Sequence, residues 1–342
     1  MSYPDATISP HPPIKEIRMT MRTGRRRGLF RTAGLLAAGL AAALTISACG
    51  GGSSNPLDTS TSAAASGPAS GSAAAGGGKI VVGSANFPES ALLANIYAAA
   101  LTKAGLDAST NLNIGSREVY IKAIQDGSID LVPEYSGVLL QYFDPTATAV
   151  SADDVYAALV KATPQGLVVL EKSAAEDKDA VVVTKATAEA NNLTSIADLA
   201  PVASTFILGG PSEWETRPTG VPGLKEKYGL TFKEFKALDA GGPLTLNALL
   251  SDQVQAGNLF TTDPAIPAND LVVLEDPKNL FAAQNVLPLI RSDANNAQVT
   301  EALNAVSAKL DTATLTELLT KVAVDKQDSA QVAQEWVAQN LS

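Results

Sequence analysis

The run KIVVGSANFPESALLANIYAAALTKAG, from Lys79 to Gly105, does most to limit what this chain can fold into. KIVVG (79–83) is a short apolar run that reads as a buried strand, and a helical pattern follows at once. Leu92, Leu93, Ile96, Tyr97, Ala100 and Leu101 fall on one helical face, and Gly105 stands where a C-cap glycine ends such a helix. The alternation continues. LNI (112–114) reads as strand, EVYIKAIQDG as a helix stopped by Gly127, and DLV (130–132) as strand. Ser151, with Asp154 three residues on, has the pattern of a capping box opening another helix. DAVVVT (179–184), TFILGG (205–210) and DLVVLED (270–276) read as strands of a second unit. The Ala- and Leu-rich tail from Asn296 to Leu341 reads as acidic helix without a site. Strands alternating with amphipathic helices predict α/β layers and mostly parallel sheets. The roughly 264 residues from Lys79 onward suffice for two domains, and no internal repeat is visible.

What precedes Lys79 has another texture. Gly50 to Gly78 is almost entirely Gly, Ser, Ala and Thr, which cannot bury a core and is expected to act as a flexible tether. Cys49, the only cysteine, stands before it. An internal disulfide is therefore excluded, leaving a buried core thiol or a processing site. The flanks favour processing. Arg22, Arg25, Arg26, Arg27 and Arg31 form a basic segment, and Gly34 to Ile46 is an apolar run too short to span a bilayer. Ile46-Ser47-Ala48-Cys49 resembles a bacterial lipobox, in which the cysteine is acylated and the leader is cut before it. A plain secretory leader with an incidental cysteine is the alternative. Arg26-Arg27-Gly28-Leu29-Phe30-Arg31 is similar to a twin-arginine signal and equally to an ordinary basic segment, so export by Sec or Tat stays open. Residues 1–18 do not resemble a leader, and Met19 or Met21 is the alternative start.

Such processing narrows the chemistry. The single histidine, His11, lies in the leader. Its loss would remove histidine general-base catalysis, Ser-His-Asp and Cys-His arrangements, and His/Cys zinc sites. Carboxylate or Ser-Lys chemistry would remain. No enzyme is expected, and no cofactor or metal. Removing a leader of net charge +5 from a chain of −10 leaves about −15. That surface repels nucleic acid and anionic lipid, so membrane attachment would come from the lipid, and two acyl chains anchor firmly.

GSANFPES (83–90) is a strand end, a polar turn and a helix start, a place where ligands sit in open α/β sheets and also an ordinary βα loop. It is followed in order by DGSIDLVPEYSG (126–137), GGPSEWETRPTGVPGLKEKYGL (209–230), LFTTDPAI (259–266) and LVVLED (271–276). Together these resemble the substrate-binding proteins of osmoprotectant ABC importers, the glycine betaine/choline/carnitine family. That family shows G-S-K-N-F-T-E-Q, D-x-Y-P-E-Y-T-G, E-F-x-x-R-P-D-G-x-P-G-L and S-T-D-x-x-I in the same order. The resemblance runs from Lys79 to the C-terminus.

It implies a two-lobed type II periplasmic-binding-protein fold with two hinge crossings. Lobe 1 would be 79–179 plus 287–342 and lobe 2 would be 180–286, after a signal peptide (1–48) and a lipidated linker (49–78). The implied function is a lipid-anchored receptor on the outer face of the cell membrane. It captures a small osmoprotectant-like solute as a monomer and delivers it to permease subunits and their ATPase, which recognise the closed form. A betaine's quaternary ammonium cannot donate hydrogen bonds and is held by aromatic faces, while its carboxylate needs Arg or backbone donors. Tyr135 matches the family's cage tyrosine, Phe87 and Trp214 stand at motif aromatics, and Arg217 is the candidate anion clamp. Phe87 and Trp214 have loop packing as their alternative, and Arg217 a surface or lobe-locking ion pair. Asn86, Glu89 and Ser90 of the first motif complete the candidate site, with Ser136 beside Tyr135, Pro211 and Ser212 of GPS, and Thr261, Thr262 and Asp263 of TTD.

One stretch departs from the pattern. Where trimethylammonium binders of the family carry Y-x-F-N-N-T-Y-A-L, this chain reads EKSAAEDKDAVVV, with Glu176, Asp177, Lys178 and Asp179. Val132 replaces a family tyrosine, and Ser90 a common glutamine. Each lost aromatic face removes about 0.5–2 kcal/mol of cation–π attraction. Asp177 and Asp179 are therefore candidates to draw in a cation, or to accept hydrogen bonds from a neutral polyol or phenol instead of a betaine.

Overall fold

The computed structural model describes residues 78–341. The expected signal peptide (1–48), Cys49 and nearly all of the linker lie outside the described residues. In chain order, the first half holds β1 (Ile80–Ala85), α1 (Pro88–Lys103), β2 (Ala108–Gly115), α2 (Arg117–Gln125), β3 (Leu131–Tyr135), α3 (Ser136–Phe143), α4 (Ala152–Ala162) and β4 (Leu167–Val169). Residues 170–178 then cross to β5 (Asp179–Thr184), α5 (Lys185–Asn191), β6 (Ile207–Pro211), α6 (Val221–Tyr228), β7 (Glu234–Leu238), α7 (Pro243–Leu250), β8 (Ala256–Phe260), α8 (Ala265–Ala268) and β9 (Leu271–Val273). Residues 274–285 cross back to β10 (Val286–Arg291), followed by α9 (Ala297–Ser307), α10 (Thr312–Ala323) and α11 (Ser329–Asn340).

The strands form two five-stranded sheets, ordered β2-β1-β3-β10-β4 and β7-β6-β8-β5-β9. Each sheet with its helices makes one lobe, and the chain passes between them twice. The expectation of mostly parallel sheets needs a correction. β1 pairs parallel with β2 and β3, and β6 with β7 and β8, but β10 runs antiparallel to both its neighbours and so does β5. These two are the strands that follow a crossing. A chain arriving from the other lobe enters where its new sheet's parallel strands end, so it must run against them.

Local signals explain the elements. Ser151 Oγ accepts from Asp154 N–H at the start of α4, and Gly105 takes φ +82° after α1. α1 buries Leu92, Leu93, Ile96, Tyr97 and Leu101 against Val299, Leu303, Leu315, Val332 and Trp336 of α9, α10 and α11. Each such aliphatic side chain contributes about 1.5–3 kcal/mol of burial. The C-terminal helices are thus the outer layer of the first lobe. The other face of that sheet packs Tyr120, Ile121, Ile124, Leu139, Val155, Leu159 and Leu289. In β5 the strand period sends Val181 and Val183 to one core and Ala180 and Val182 to the opposite one. A strand buried on both faces accounts for the unbroken run AVVV.

Candidate functional site

The ends of β1, β3, β6 and β8 and the start of β5 converge on one cavity between the sheets, of about 160 Å3. Its wall draws on both lobes and both crossings: Asn86, Phe87 and Tyr135 from the first lobe, Asp177 and Gln284 from the crossings, and Pro211, Arg217 and Phe260 from the second. This is where open α/β sheets place ligands, beyond the carboxyl ends of their strands.

Of the residues singled out from the sequence, Asn86, Phe87, Tyr135, Asp177, Asp179, Pro211, Ser212 and Arg217 line this cavity. The others do not. Ser90 Oγ accepts from Ala85 N–H (2.9 Å) and ties α1 to β1. Ser136 Oγ donates to Ala283 O (3.1 Å) and accepts from Asn285 N–H (3.0 Å), pinning the second crossing to α3. Gly137 permits that approach, because a Cβ there would lie 2.5 Å from Ala283 O. Trp214 is 1% exposed and stacks on Phe281 at 6.2 Å within the second core. Its backbone is overlaid by Gly220, where a Cβ would stand 1.9 Å from Trp214 O. Asp263 accepts from Ala265 N–H at the start of α8.

Glu89, Thr261 and Thr262 form a layer behind the cavity. Glu89 is buried and accepts from Tyr135 Oη–H (2.8 Å) and from Thr262 Oγ1–H across the lobes (2.5 Å). Asp177 Oδ1 accepts from Thr262 N–H (3.0 Å) and Thr261 Oγ1–H (3.2 Å). Burial raises the pKa of both carboxyls. For Glu89 the Thr262 and Tyr135 hydrogen bonds oppose that rise. Asp177 is pushed well above the ordinary carboxylate range, by burial first and then by the Glu89 charge. Burial and the same two charges push the Tyr135 hydroxyl up. Asp179 is half-buried and accepts from Asn258 Nδ2–H (3.0 Å). Burial raises its pKa, and Asn258 and the Arg217 charge hold the rise back.

Several groups in the wall escaped the sequence reading. Phe260 closes on Phe87 at 5.1 Å between ring centroids, and Phe87 lies 6.1 Å from Tyr135. The three rings make an aromatic side drawn from both lobes. Arg117 is buried and bidentate to Glu134 (Nε–Oε1 and Nη2–Oε2, both 2.8 Å), and Tyr120 Oη–H donates to Glu134 Oε1 (2.7 Å). Arg217 is likewise bidentate, but to Glu118 of the opposite lobe (3.1 and 2.9 Å). Burial alone would raise the Glu118 pKa, yet the hydrogen bonds from Arg217, backbone and Ser116 and the Arg217 charge bring it down to about 2. Both cavity arginines therefore already hold a carboxylate. The acids left in the wall are Asp177, Asp179, Glu213 and Asp239.

Residues 78–339 match the family model described as the substrate binding domain of ABC-type glycine betaine transport systems. The chain is 28% identical over 274 residues to the glycine betaine-binding protein YehZ of Escherichia coli, covering 76% of this chain and 90% of that one. It is 28% identical over 274 residues to a glycine-betaine-binding protein of Pseudomonas aeruginosa, covering 76% and 87%. The crystal structure of a glycine betaine/carnitine/choline ABC transporter protein superposes with a TM-score of 0.60 at 21% identity, covering 76% of this chain and 98% of that one. That likeness extends the two-lobed type II binding-protein architecture to this fold.

Proposed function

The chain belongs to the substrate-binding domains of ABC-type glycine betaine transport systems, solute-binding proteins rather than enzymes, and from that premise we propose that it captures a small quaternary ammonium solute between its two lobes. The observation that carries this reading is the aromatic side formed by Phe87, Tyr135 and Phe260 in a cavity whose wall also carries Asp179, Glu213 and Asp239. A methylated ammonium is attracted by ring faces and by anions alike. Rings supplied by both lobes make the closed state the one with more contacts, so the solute favours closure in proportion to that difference. The lobes follow the expected division, 79–179 plus 287–342 and 180–286, with each bound moved one residue so that Asp179 joins β5 and Val286 joins β10. Asn86, Phe87, Tyr135, Asp177, Asp179, Ser212, Arg217 and Phe260 touch the solute, while Glu89 and Thr262 support Tyr135 and Asp177 from behind.

The cellular setting follows from the sequence. The leader directs export by Sec or Tat, Cys49 is acylated on the outer face of the membrane, and residues 50–78 let a monomeric receptor reach its permease and ATPase. Relatives named as glycine betaine-binding and carnitine transport binding proteins support delivery of such a solute. A second reading, a neutral polyol or phenolic ligand, is favoured by the carboxylates Asp177 and Asp179 standing where the family carries aromatics.

Thermal shift of the purified chain against glycine betaine, proline betaine, choline, carnitine, polyols and small phenolics separates the two, since a bound ligand raises the melting temperature by mass action. Shifts confined to the quaternary ammonium compounds are expected. Shifts confined to neutral hydroxylated compounds would establish the second reading instead. Mass spectrometry of membrane-extracted protein tests the anchor, with a diacylglyceryl thioether at Cys49 as the N-terminal residue expected and an unmodified cysteine contradicting it.

A further inference from the structure

One corner of the cavity is built from Asp179, Asn258 and Gln284. Asn258 is fully buried, and its Nδ2 is surrounded by acceptors: Asp179 Oδ1 at 3.0 Å, Leu259 O at 3.4 Å and Ala180 O at 3.5 Å. Three acceptors on one side fix which way the amide points, because a flipped amide would set oxygen against oxygen. Asn258 Oδ1 is then left buried without a donor. Gln284, 3% exposed, presents the opposite deficit, with Nε2 buried and lacking an acceptor of good geometry, although it lies near the Asp179 carboxylate. Buried polar groups without partners are costly, and a pair of them in a cavity wall marks hydrogen bonds reserved for something that enters.

An unmet acceptor beside an unmet donor suits a hydroxyl, which donates and accepts through one oxygen. It does not suit a carboxylate, which only accepts and would meet Asp179. Both arginines that could have received a carboxylate are bidentate to Glu134 and Glu118. We propose that Asp179, Asn258 and Gln284 form a selectivity corner that reads a hydroxyl and rejects a carboxylate, so that this receptor prefers net cations carrying a hydroxyl over zwitterions. The inference rests on the quaternary ammonium reading above.

The test is calorimetric titration of the full chain with three probes that share one head group. Choline adds a hydroxyl, glycine betaine adds a carboxylate, and tetramethylammonium is the head alone. Choline should bind at least about tenfold more tightly than glycine betaine, the scale of a like-charge penalty in a partly desolvated site. Asp179→Asn should shrink that ratio by restoring glycine betaine. Gln284→Leu should remove the advantage of choline over tetramethylammonium. A purely structural role for either residue would instead weaken all three probes alike, which overturns the proposal. Glycine betaine binding as tightly as choline also overturns it, and would mean that Arg217 leaves Glu118 for the ligand. No binding by any probe refutes the quaternary ammonium reading, and the selectivity proposal with it.

Discussion

Two arginines flank the cavity, each bidentate to a glutamate, and they differ in what they hold together. Arg117 and Glu134 lie in the first lobe with side chains 9% and 0% exposed, and Tyr120 Oη–H and Tyr135 N–H also donate to the same carboxylate. Arg217 and Glu118 reach across the lobes with side chains 25% and 43% exposed. The first pair is a buried network contained within one lobe. The second is a solvent-screened clasp that bridges the lobes. Equal geometry therefore implies unequal energetics, because removing one partner from a buried pair strands an uncompensated charge, whereas exposed pairs contribute little.

The largest expected effect tests the buried member. Arg117→Ala should lower unfolding stability by about 3–5 kcal/mol in a denaturant titration, since Glu134 keeps its burial and loses its cation. A loss below 1 kcal/mol would erase the distinction. The next concerns the carboxyls at the lobe junction, where neither arginine reaches. Glu89 and Asp177 have pKa values raised by burial. Their contribution to stability is fully present below the ordinary carboxylate pKa and is lost as pH rises through the raised values. The melting temperature of wild type should therefore fall from acid toward neutral pH relative to Asp177→Asn, by about 2–4 °C per kcal/mol for a domain of 150–250 residues. Parallel pH profiles for the two proteins would contradict a raised Asp177 pKa. The smallest effect belongs to the clasp. Arg217→Ala should change stability by less than about 1 kcal/mol, and raising salt should erase even that. A salt-insensitive loss of several kcal/mol would place the pair with the buried network.

The same contrast explains what could be read in advance. β5 matches the expected 179–184 residue for residue, and α1, Gly105 and the Ser151 cap follow from contacts within a few positions. The four ordered motifs gave family and architecture. The reversed direction of β5 and β10 was not legible, because it depends on where the chain arrives from and not on its pattern. β10 was also hidden by Pro288, which opposes Pro133 in the register. β8 was hidden by Gly257 and Asn258, poor strand residues that the cavity wall uses. In the site, Phe87 and Tyr135 stand in legible motifs, whereas Phe260, within LFTTD, is marked as wall only by its contact with the Phe87 ring of the other lobe. Trp214 looked equally eligible and is core, a difference set by the Phe281 ring 67 positions away.

If rings from opposite lobes close on one quaternary ammonium group, the affinity of Phe260→Ala reports it. Calorimetry of the full chain, using whichever quaternary ammonium compound shifts the melting temperature most, should show several-fold to about thirtyfold weaker binding. That is the ~1–2 kcal/mol of one aromatic face, with the melting temperature of the ligand-free protein little changed. An unchanged affinity would mean that the second lobe supplies no face to the ligand, contradicting a cage closed by both lobes.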